Sequence, residues 1–414
     1  MRMLTTGPPQ TPQFDTAGGS GAALPRGPIL DWSSFENESA PAMPSVDSLP
    51  HTAFTTSGRA AIYQALLQLG LPPASTVLVP SYHCPTMIAP VFLANFKVAF
   101  YGLGTDGLPK LDTIDAATAA ASGAIIVAHY FGLPRSLAQV RNWCDQHGIA
   151  LIEDCAHCYF GQAGARPVGA WGDLSTASLS KFFPLSEGGV LASAHRPIAD
   201  LRLARPSLTT QLKAGLDVLE HAAQHGRLSG VNRMLVLLFR LKNSHLRPAT
   251  HTRVPSQSTA TSMLHECDMA RIAQSPLWAS MLLKAVLPRG RIIARRRRNF
   301  ALYDQHFAMT RSARPLFPLP SASCAPYVFP LWVEDADRVY RALRQQAMPV
   351  FRWDRTWPGI PQLAGDVGPL WSHHVLQLLC HQDLSEKDIA RTARAVQDLL
   401  AANHPGPAAL PANP

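Results

Sequence analysis

Between residues 55 and 193 the sequence alternates short apolar runs with longer segments whose apolar residues recur every three or four positions. No other feature limits the fold as much, because short buried strands separated by crossover helices build a largely parallel sheet. The strand-like runs are TVLVP (76–80), VAFYG (98–102), AIIVAHY (124–130), ALIED (150–154), LSTASL (174–179) and GVLAS (189–193). Helical spacing fills 59–69, 85–95 and 136–147 between them. The expected class is α/β, with a large domain built on a mainly parallel sheet and no internal repeat.

Beyond residue 200 the pattern changes to long helical periodicity, including 212–225 and 231–243. The second of these is apolar enough for a partner-facing or membrane-surface helix, and burial at a subunit interface is the favoured reading. From residue 289 a helix (289–307) leads into a smaller α+β segment, with strands at 326–333 and 348–353 and a helix at 335–346. The last helix, 385–402, opens on the capping box Ser385-Glu386-Lys387-Asp388. The expected organisation is a flexible N-terminal tail (1–30) and a large domain (31–288) carrying a helical insertion at about 205–288. A small C-terminal α+β domain (289–402) and a disordered tail (403–414) follow. A chain of 414 residues, 47% hydrophobic and 16% charged, is long enough for two such cores. No run of eighteen apolar residues is present, so no membrane span is expected. The N-terminus lacks the basic start and apolar centre of a secretory signal, and the seven cysteines form no disulfide framework. Both observations favour a reducing cytoplasm.

Within this frame two residues point to chemistry. Asp154 ends an apolar strand, which aims a carboxylate into the crevice where parallel sheets bind ligands. Lys181 lies in a Ser-rich turn, Ser178-Leu179-Ser180-Lys181, six residues before Glu187-Gly188-Gly189. An amine and an acid so placed suggest a site for pyridoxal 5′-phosphate: the lysine holds its aldehyde as a Schiff base, and the acid keeps its ring nitrogen protonated. The blander readings are a surface lysine before a strand and an aspartate capping a turn. Ser178 and Ser180 could reach the phosphate, and the two glycines allow a tight turn. Thr56-Ser57-Gly58-Arg59-Ala60-Ala61 opens a helix whose N-terminal N–H groups suit a phosphate. Glu153 faces away from Asp154 and takes no cofactor role.

These residues resemble the DegT/DnrJ/StrS family of fold type I, pyridoxal-phosphate-dependent aminotransferases, which act mainly on keto sugars attached to nucleotides. The matching pieces are SGRAA, VLVPSYHCPT, VAHYFGLP, IEDCAH and SLSKFFPLSEGG, in the family's order over about residues 50–195. By position, the resemblance implies Lys181 as the Schiff-base lysine and Asp154 as the ring-nitrogen partner. It places His157 near the cofactor's 3-hydroxyl, with Ser57, Gly58, Arg59 and Ser178 at the phosphate. It implies an amino acid donor, glutamate or glutamine, a keto-sugar acceptor and a homodimer with active sites between subunits. The chain departs from the family at Arg59, where a threonine is usual, and at Cys84, where an aromatic often stacks on the ring. Stacking then falls to Tyr82 or His83, or is absent, with His83 preferred. The family's later motif that reaches the neighbouring subunit's phosphate has no counterpart recognisable in 205–290. A sugar-modifying enzyme without net amino transfer is the second reading, although one such group carries histidine where Lys181 stands. A binding or regulatory module is the third.

Other patterns carry less. Cys155-Ala156-His157-Cys158 has metal-like spacing but no second pair, so no metal site is expected. The net charge of +9 comes from arginine, and Arg295–Arg298 reads as the solvated side of a helix. No nucleic-acid-binding motif accompanies it. His373, His374 and His381 have no partner carboxylate in a recognisable motif.

Overall fold

The computed structural model describes residues 23–243, 260–310, 312–318 and 323–402. In the first domain the strands are β1 (His51–Thr55), β2 (Thr76–Pro80), β3 (Lys97–Leu103), β4 (Pro109–Lys110), β5 (Ser122–Ala128), β6 (Ala150–Asp154), the short hairpin β7 (Gln162–Ala163) and β8 (Arg166–Pro167), β9 (Leu174–Ser178) and β10 (Gly189–Ser193). All but the hairpin form one sheet in the order β1-β10-β9-β6-β5-β2-β3-β4. The run from β9 to β3 is parallel, and β4, β10 and β1 join antiparallel at its edges. All six apolar runs expected as strands lie in this sheet. β1 was not legible, because HTAFT shows no apolar alternation and buries only Thr55 fully. It pairs instead along β10.

Two consequences position a site. The parallel strands present their C-terminal ends on one edge of the sheet. The chain places β3 on one side of β2 and β5 on the other. A crevice opens at such a reversal, outside the C-terminal ends of β2, β5, β6 and β9.

A second, four-stranded antiparallel sheet comprises β11 (Ala313–Pro315), β12 (Val328–Val333), β13 (Val350–Phe351) and β14 (Val375–Leu379), in the order β11-β12-β14-β13. The helix Glu386–Ala401 starts at the expected capping box: Ser385 Oγ accepts from Asp388 N at 3.2 Å, and Ser385 N donates to the Asp388 carboxylate at 2.9 Å. It packs along the helix Arg289–Phe307.

That arginine-rich helix is not a solvated face. Arg289 binds Asp47 at 2.8 Å, Arg291 binds Asp383 at 2.8 Å, Arg295 pairs with Glu38, and Arg297 donates to Cys324 O at 3.1 Å. Arg291 and Arg296 are buried, and only Arg298, against Glu386 at 3.5 Å, is well exposed at both ends of its pair. The charge run is absorbed by tying the N-terminal arm, the large domain and the C-terminal segment to one helix.

Of the expected tail over 1–30, residues 24–30 are packed against the rest of the protein. Ile29 N donates to Asp383 Oδ2 at 3.0 Å, and His381 Nε2 meets Pro25 O at 3.0 Å. Ile29 and Leu30 join Val218, Ala222, Leu235 and Phe239 in a second apolar core under the helices Leu208–Gln224 and Asn232–Asn243. Residues 1–22 and 403–414 lie outside the described residues. The inserted helices also expose apolar side chains at helical spacing: Leu208, Leu212 and Leu216 on one, Trp278, Leu282 and Val286 on the helix Trp278–Val286. Among the described residues no helix is long and apolar enough to cross a membrane.

Candidate active site

Sheet register assembles the site. Ala128, Asp154 and Thr176 are neighbours across β5, β6 and β9. Thr176 and, two residues on, Ser178 therefore share a face with Asp154, while Glu153 points to the other. β9 then passes into a 3₁₀ turn, Leu179–Lys181, that delivers the lysine. Opposite it stands the N-terminus of the helix Gly58–Gln68, where the Ser57 hydroxyl caps by accepting from Ala60 N at 3.2 Å. Backbone proximity holds these pieces together: a Cβ on Gly58 would lie 3.3 Å from Ser178 Cβ. A Cβ on Gly189 would lie 2.2 Å from Ser57 O, so the 55–57 turn backs directly onto β10 and only glycine fits there. The result is a cavity of about 220 Å³ lined by Ser57, Gly58, Arg59, Cys84, Tyr130, Asp154, His157, Ser178, Ser180, Lys181 and Trp353, among others.

Burial sets the electrostatics. Lys181 Nζ lies 5.2 Å from the Tyr327 ring centre and, among the described residues, engages in no hydrogen bond or ion pair. Burial lowers its pKa, against the smaller opposing pull of Cys84 and Asp154. Asp154 shows the opposite response: burial raises its pKa, offset in part by Ala156 N, the Lys181 charge and the Thr176 hydroxyl. Ala156 N donates to Asp154 Oδ1 at 2.9 Å and Thr176 Oγ1 donates to the same oxygen at 3.3 Å. His157 packs between Tyr327 and Trp353, with ring centres 4.5 and 4.9 Å away, and its Nδ1 is buried without a partner. Burial drives its pKa down, so the ring is neutral.

Glu153 faces away from the cavity and serves the scaffold. It accepts from Gly169 N at 2.6 Å, Trp171 N at 2.9 Å, Gly172 N at 3.1 Å and His129 Nε2 at 2.7 Å. Burial alone would raise its pKa, but these donors together lower it, and the carboxylate stays ionised. Cys155 and Cys158 are buried, with thiols directed at the carbonyls of Glu153 and Phe160.

Seven of the eight expected site residues line the cavity: Ser57, Gly58, Arg59, Asp154, His157, Ser178 and Lys181. His83 does not. It is fully buried, its Nδ1–H donates to Pro80 O at 2.8 Å, Trp357 N donates to its Nε2 at 2.9 Å, and its ring stacks on Phe100. Both nitrogens are thus committed away from the cleft. Tyr82 is no substitute, since its ring is enclosed by Tyr130, Phe131, Trp353 and Trp371. His83→Ala is expected to lower unfolding free energy by about 2 kcal/mol by orphaning two buried backbone groups. It should leave cofactor affinity unchanged, as urea unfolding and a cofactor titration would check. Arg59 reaches the cavity, but Asp268 engages its guanidinium, through the backbone carbonyl and through the carboxylate at 3.4 Å. It is drawn toward the 267–277 segment and is not free to meet a phosphate as expected.

Trp353 escaped the sequence reading. It follows the two-residue strand β13, and nothing local to it records that the small domain folds back over the sheet edge. Glu187 of the Glu-Gly-Gly run also gains a definite role: it binds Arg271 and accepts from Leu277 N at 2.7 Å, while Thr56 Oγ1 donates to Arg271 O at 2.9 Å. The 267–277 segment is thereby held against the outside of the 55–57 turn.

Pyridoxal phosphate requires a lysine amine without an ion partner, a buried carboxylate for its ring nitrogen, and donors for its phosphate. The residues fit. Lys181 Nζ is unpaired, Asp154 is buried on the same cavity wall, and the helix N-terminus at Gly58 lies beside the Ser178 side chain. The orphaned Nδ1 of His157 adds a polar group aimed at no protein partner.

The large, mostly parallel sheet with its flanking helices has the fold type I architecture. Residues 42–205 match the model of the DegT/DnrJ/EryC1/StrS aminotransferase family. It is 26% identical over 184 residues to a GDP-perosamine synthase of Vibrio cholerae, covering 44% of this chain and 48% of the relative. It is 28% identical over 176 residues to an L-glutamine:2-deoxy-scyllo-inosose aminotransferase of Streptomyces kanamyceticus, covering 42% and 41%. The chain thus spans less than half the length of these curated relatives. The fold likeness reaches further. The aminotransferase TlmJ from Streptoalloteichus hindustanus superposes with a TM-score of 0.56 at 18% identity, over 85% of this chain and 86% of that one.

Proposed function

We propose that this protein is a pyridoxal-phosphate-dependent aminotransferase. It would move an amino group from an amino acid, glutamate or glutamine, to a keto sugar carried on a nucleotide. The observation that carries the reading is the convergence of an unpaired Lys181 amine and the buried Asp154 carboxylate on one cavity beside a helix N-terminus. The sugar-related names of the relatives support the acceptor class.

When bound, the cofactor supplies an electron sink for the carbon that loses and gains a proton. Lys181 would hold the group covalently through Nζ and, when released, would take up and return a proton at that atom. Its lowered pKa keeps a larger share of that amine neutral and able to accept one. Asp154, buried in the cavity wall, would supply the negative charge that keeps the group's ring nitrogen protonated. Ser57, Gly58 and Ser178 would hold the phosphate, and His157 would serve the 3-hydroxyl. Trp353 closes the cavity from the small domain and limits entry of water.

We further propose a homodimer, with the exposed stripes Leu208, Leu212, Leu216 and Trp278, Leu282, Val286 as surfaces that a second copy would cover. A reducing compartment, such as the cytoplasm, suits seven cysteines that form no disulfide among the described residues. The test incubates the purified protein with pyridoxal phosphate, glutamate or glutamine, and a panel of nucleotide-linked keto sugars. Formation of the 2-oxo acid together with an amino sugar is the expected result. Cofactor retention without nitrogen transfer from any donor would favour a sugar-modifying enzyme instead.

A further inference from the structure

Among the described residues Arg296 is the largest side chain with no exposed surface, and no carboxylate bonds to it. Burial pulls its pKa down to about 10, so the guanidinium remains charged at neutral pH. A buried charge without an ionic partner is costly and needs dense hydrogen bonding to persist. Its donors go to Lys181 O at 2.6 Å, Gln382 Oε1 at 3.0 Å and Pro326 O at 3.2 Å, and its plane lies 4.5 Å from the Phe182 ring centre. Gln382 in turn donates from Nε2 to Phe182 O at 2.8 Å. The carbonyls of Lys181 and Phe182 are therefore gripped by two side chains that are bonded to each other. Through Pro326 the same guanidinium also fixes the backbone just before Tyr327, whose ring contacts His157 and faces Lys181 Nζ.

We infer that Arg296 and Gln382 form a positioning clamp, by which the helix Arg289–Phe307 and the segment after β14 orient the lysine-bearing turn toward the cofactor cavity. Neither side chain lines the cavity, so both act through the Lys181–Phe182 backbone. A guanidinium suits this task because its rigid fork serves three carbonyl oxygens at once and stacks on a ring, which an ammonium group cannot reproduce.

This inference rests on Lys181 being the lysine that binds pyridoxal phosphate, and its test separates the two. Arg296→Lys and Gln382→Leu would be compared with the wild type for pyridoxal phosphate affinity, for the pH midpoint of the visible adduct band, and for thermal melting of the cofactor-free protein. The clamp predicts that the dissociation constant for pyridoxal phosphate rises about tenfold in each variant at a temperature well below its melting point, the equivalent of losing one hydrogen bond to a charged group. It also predicts that the pH midpoint moves, because Nζ no longer keeps its place relative to Asp154. Melting at lower temperature with affinity and pH midpoint unchanged would assign both residues a purely structural role and overturn the inference. Should Arg296→Lys fail to fold, Gln382→Leu decides by the same two readouts. Wild-type protein that forms no adduct at Lys181 would sink the functional proposal itself, whereas an intact wild-type adduct with unaltered variants sinks only the clamp.

Discussion

Lys181→Ala is expected to abolish the visible absorption that a lysine–aldehyde adduct gives with pyridoxal phosphate, and to lower amino transfer by about 10⁴ or more, since one side chain supplies both the covalent hold and the proton transfer. The fold should survive, because among the described residues Lys181 Nζ makes no hydrogen bond or ion pair, and alanine keeps the carbonyl that Arg296 grips. Noncovalent cofactor binding should also persist, through the helix N-terminus, Ser178 and Asp154. The wild type adds a pH signature. Because burial lowers the Lys181 pKa, its adduct should form rapidly at pH values well below the ordinary lysine pKa of about 10.4. An adduct that forms only near that ordinary value would mean that the amine sits in water, contrary to the site described here.

Asp154→Asn should divide stability from activity. Asparagine can still accept from Ala156 N and the Thr176 hydroxyl through its side-chain oxygen, so geometry is conserved. It cannot hold a negative charge against a ring-nitrogen cation, and turnover should fall by about 10²–10³, the loss typical of removing one preorganised electrostatic contact. Stability moves the other way. The folded-state pKa of Asp154 is raised above its ordinary value by burial, so the ionised form destabilises the cofactor-free fold at neutral pH. That cost is fully present above the folded-state pKa and vanishes as pH falls below the ordinary carboxylate range, where the folded and unfolded chains carry the same proton. Cofactor-free Asp154→Asn should therefore melt above the wild type at neutral pH, and the gap should close on acidification. A variant that melts below the wild type at neutral pH would show that the carboxylate is stabilised where it sits, and would remove the basis for assigning it a cofactor's cation.

The parallel core was legible because buried strands are written as continuous apolar runs, and TVLVP, AIIVAHY and ALIED admit little else between helical segments. Asp154, Lys181, Gly58 and Ser178 were legible for a related reason: each sits at an element end whose position in a parallel sheet follows from chain order alone. What failed depended on distance in the chain. Trp353 reaches the cavity across the domain joint, and β1 is a strand only because β10 offers it an edge. The arginine run at 295–298 gave no local sign that its partners, Glu38, Gln382, Cys324 and Glu386, lie far along the chain. His83 misled because its neighbours in sequence frame the cleft while its own ring turns toward Pro80 and Trp357. A one-residue change of facing is invisible in an irregular turn, where no period of two or 3.6 applies.

The central claim is that Lys181 is the amine of a pyridoxal phosphate site. The protein has seven lysines, at 97, 110, 181, 213, 242, 284 and 387, so the claim is open to a direct choice among them. The most direct measurement incubates the intact protein with one equivalent of pyridoxal phosphate, reduces it with borohydride, and maps the modified peptide by mass spectrometry. The account predicts a single pyridoxyl-phosphate adduct on Lys181. Labelling spread over the other lysines, or no adduct at Lys181, would contradict it.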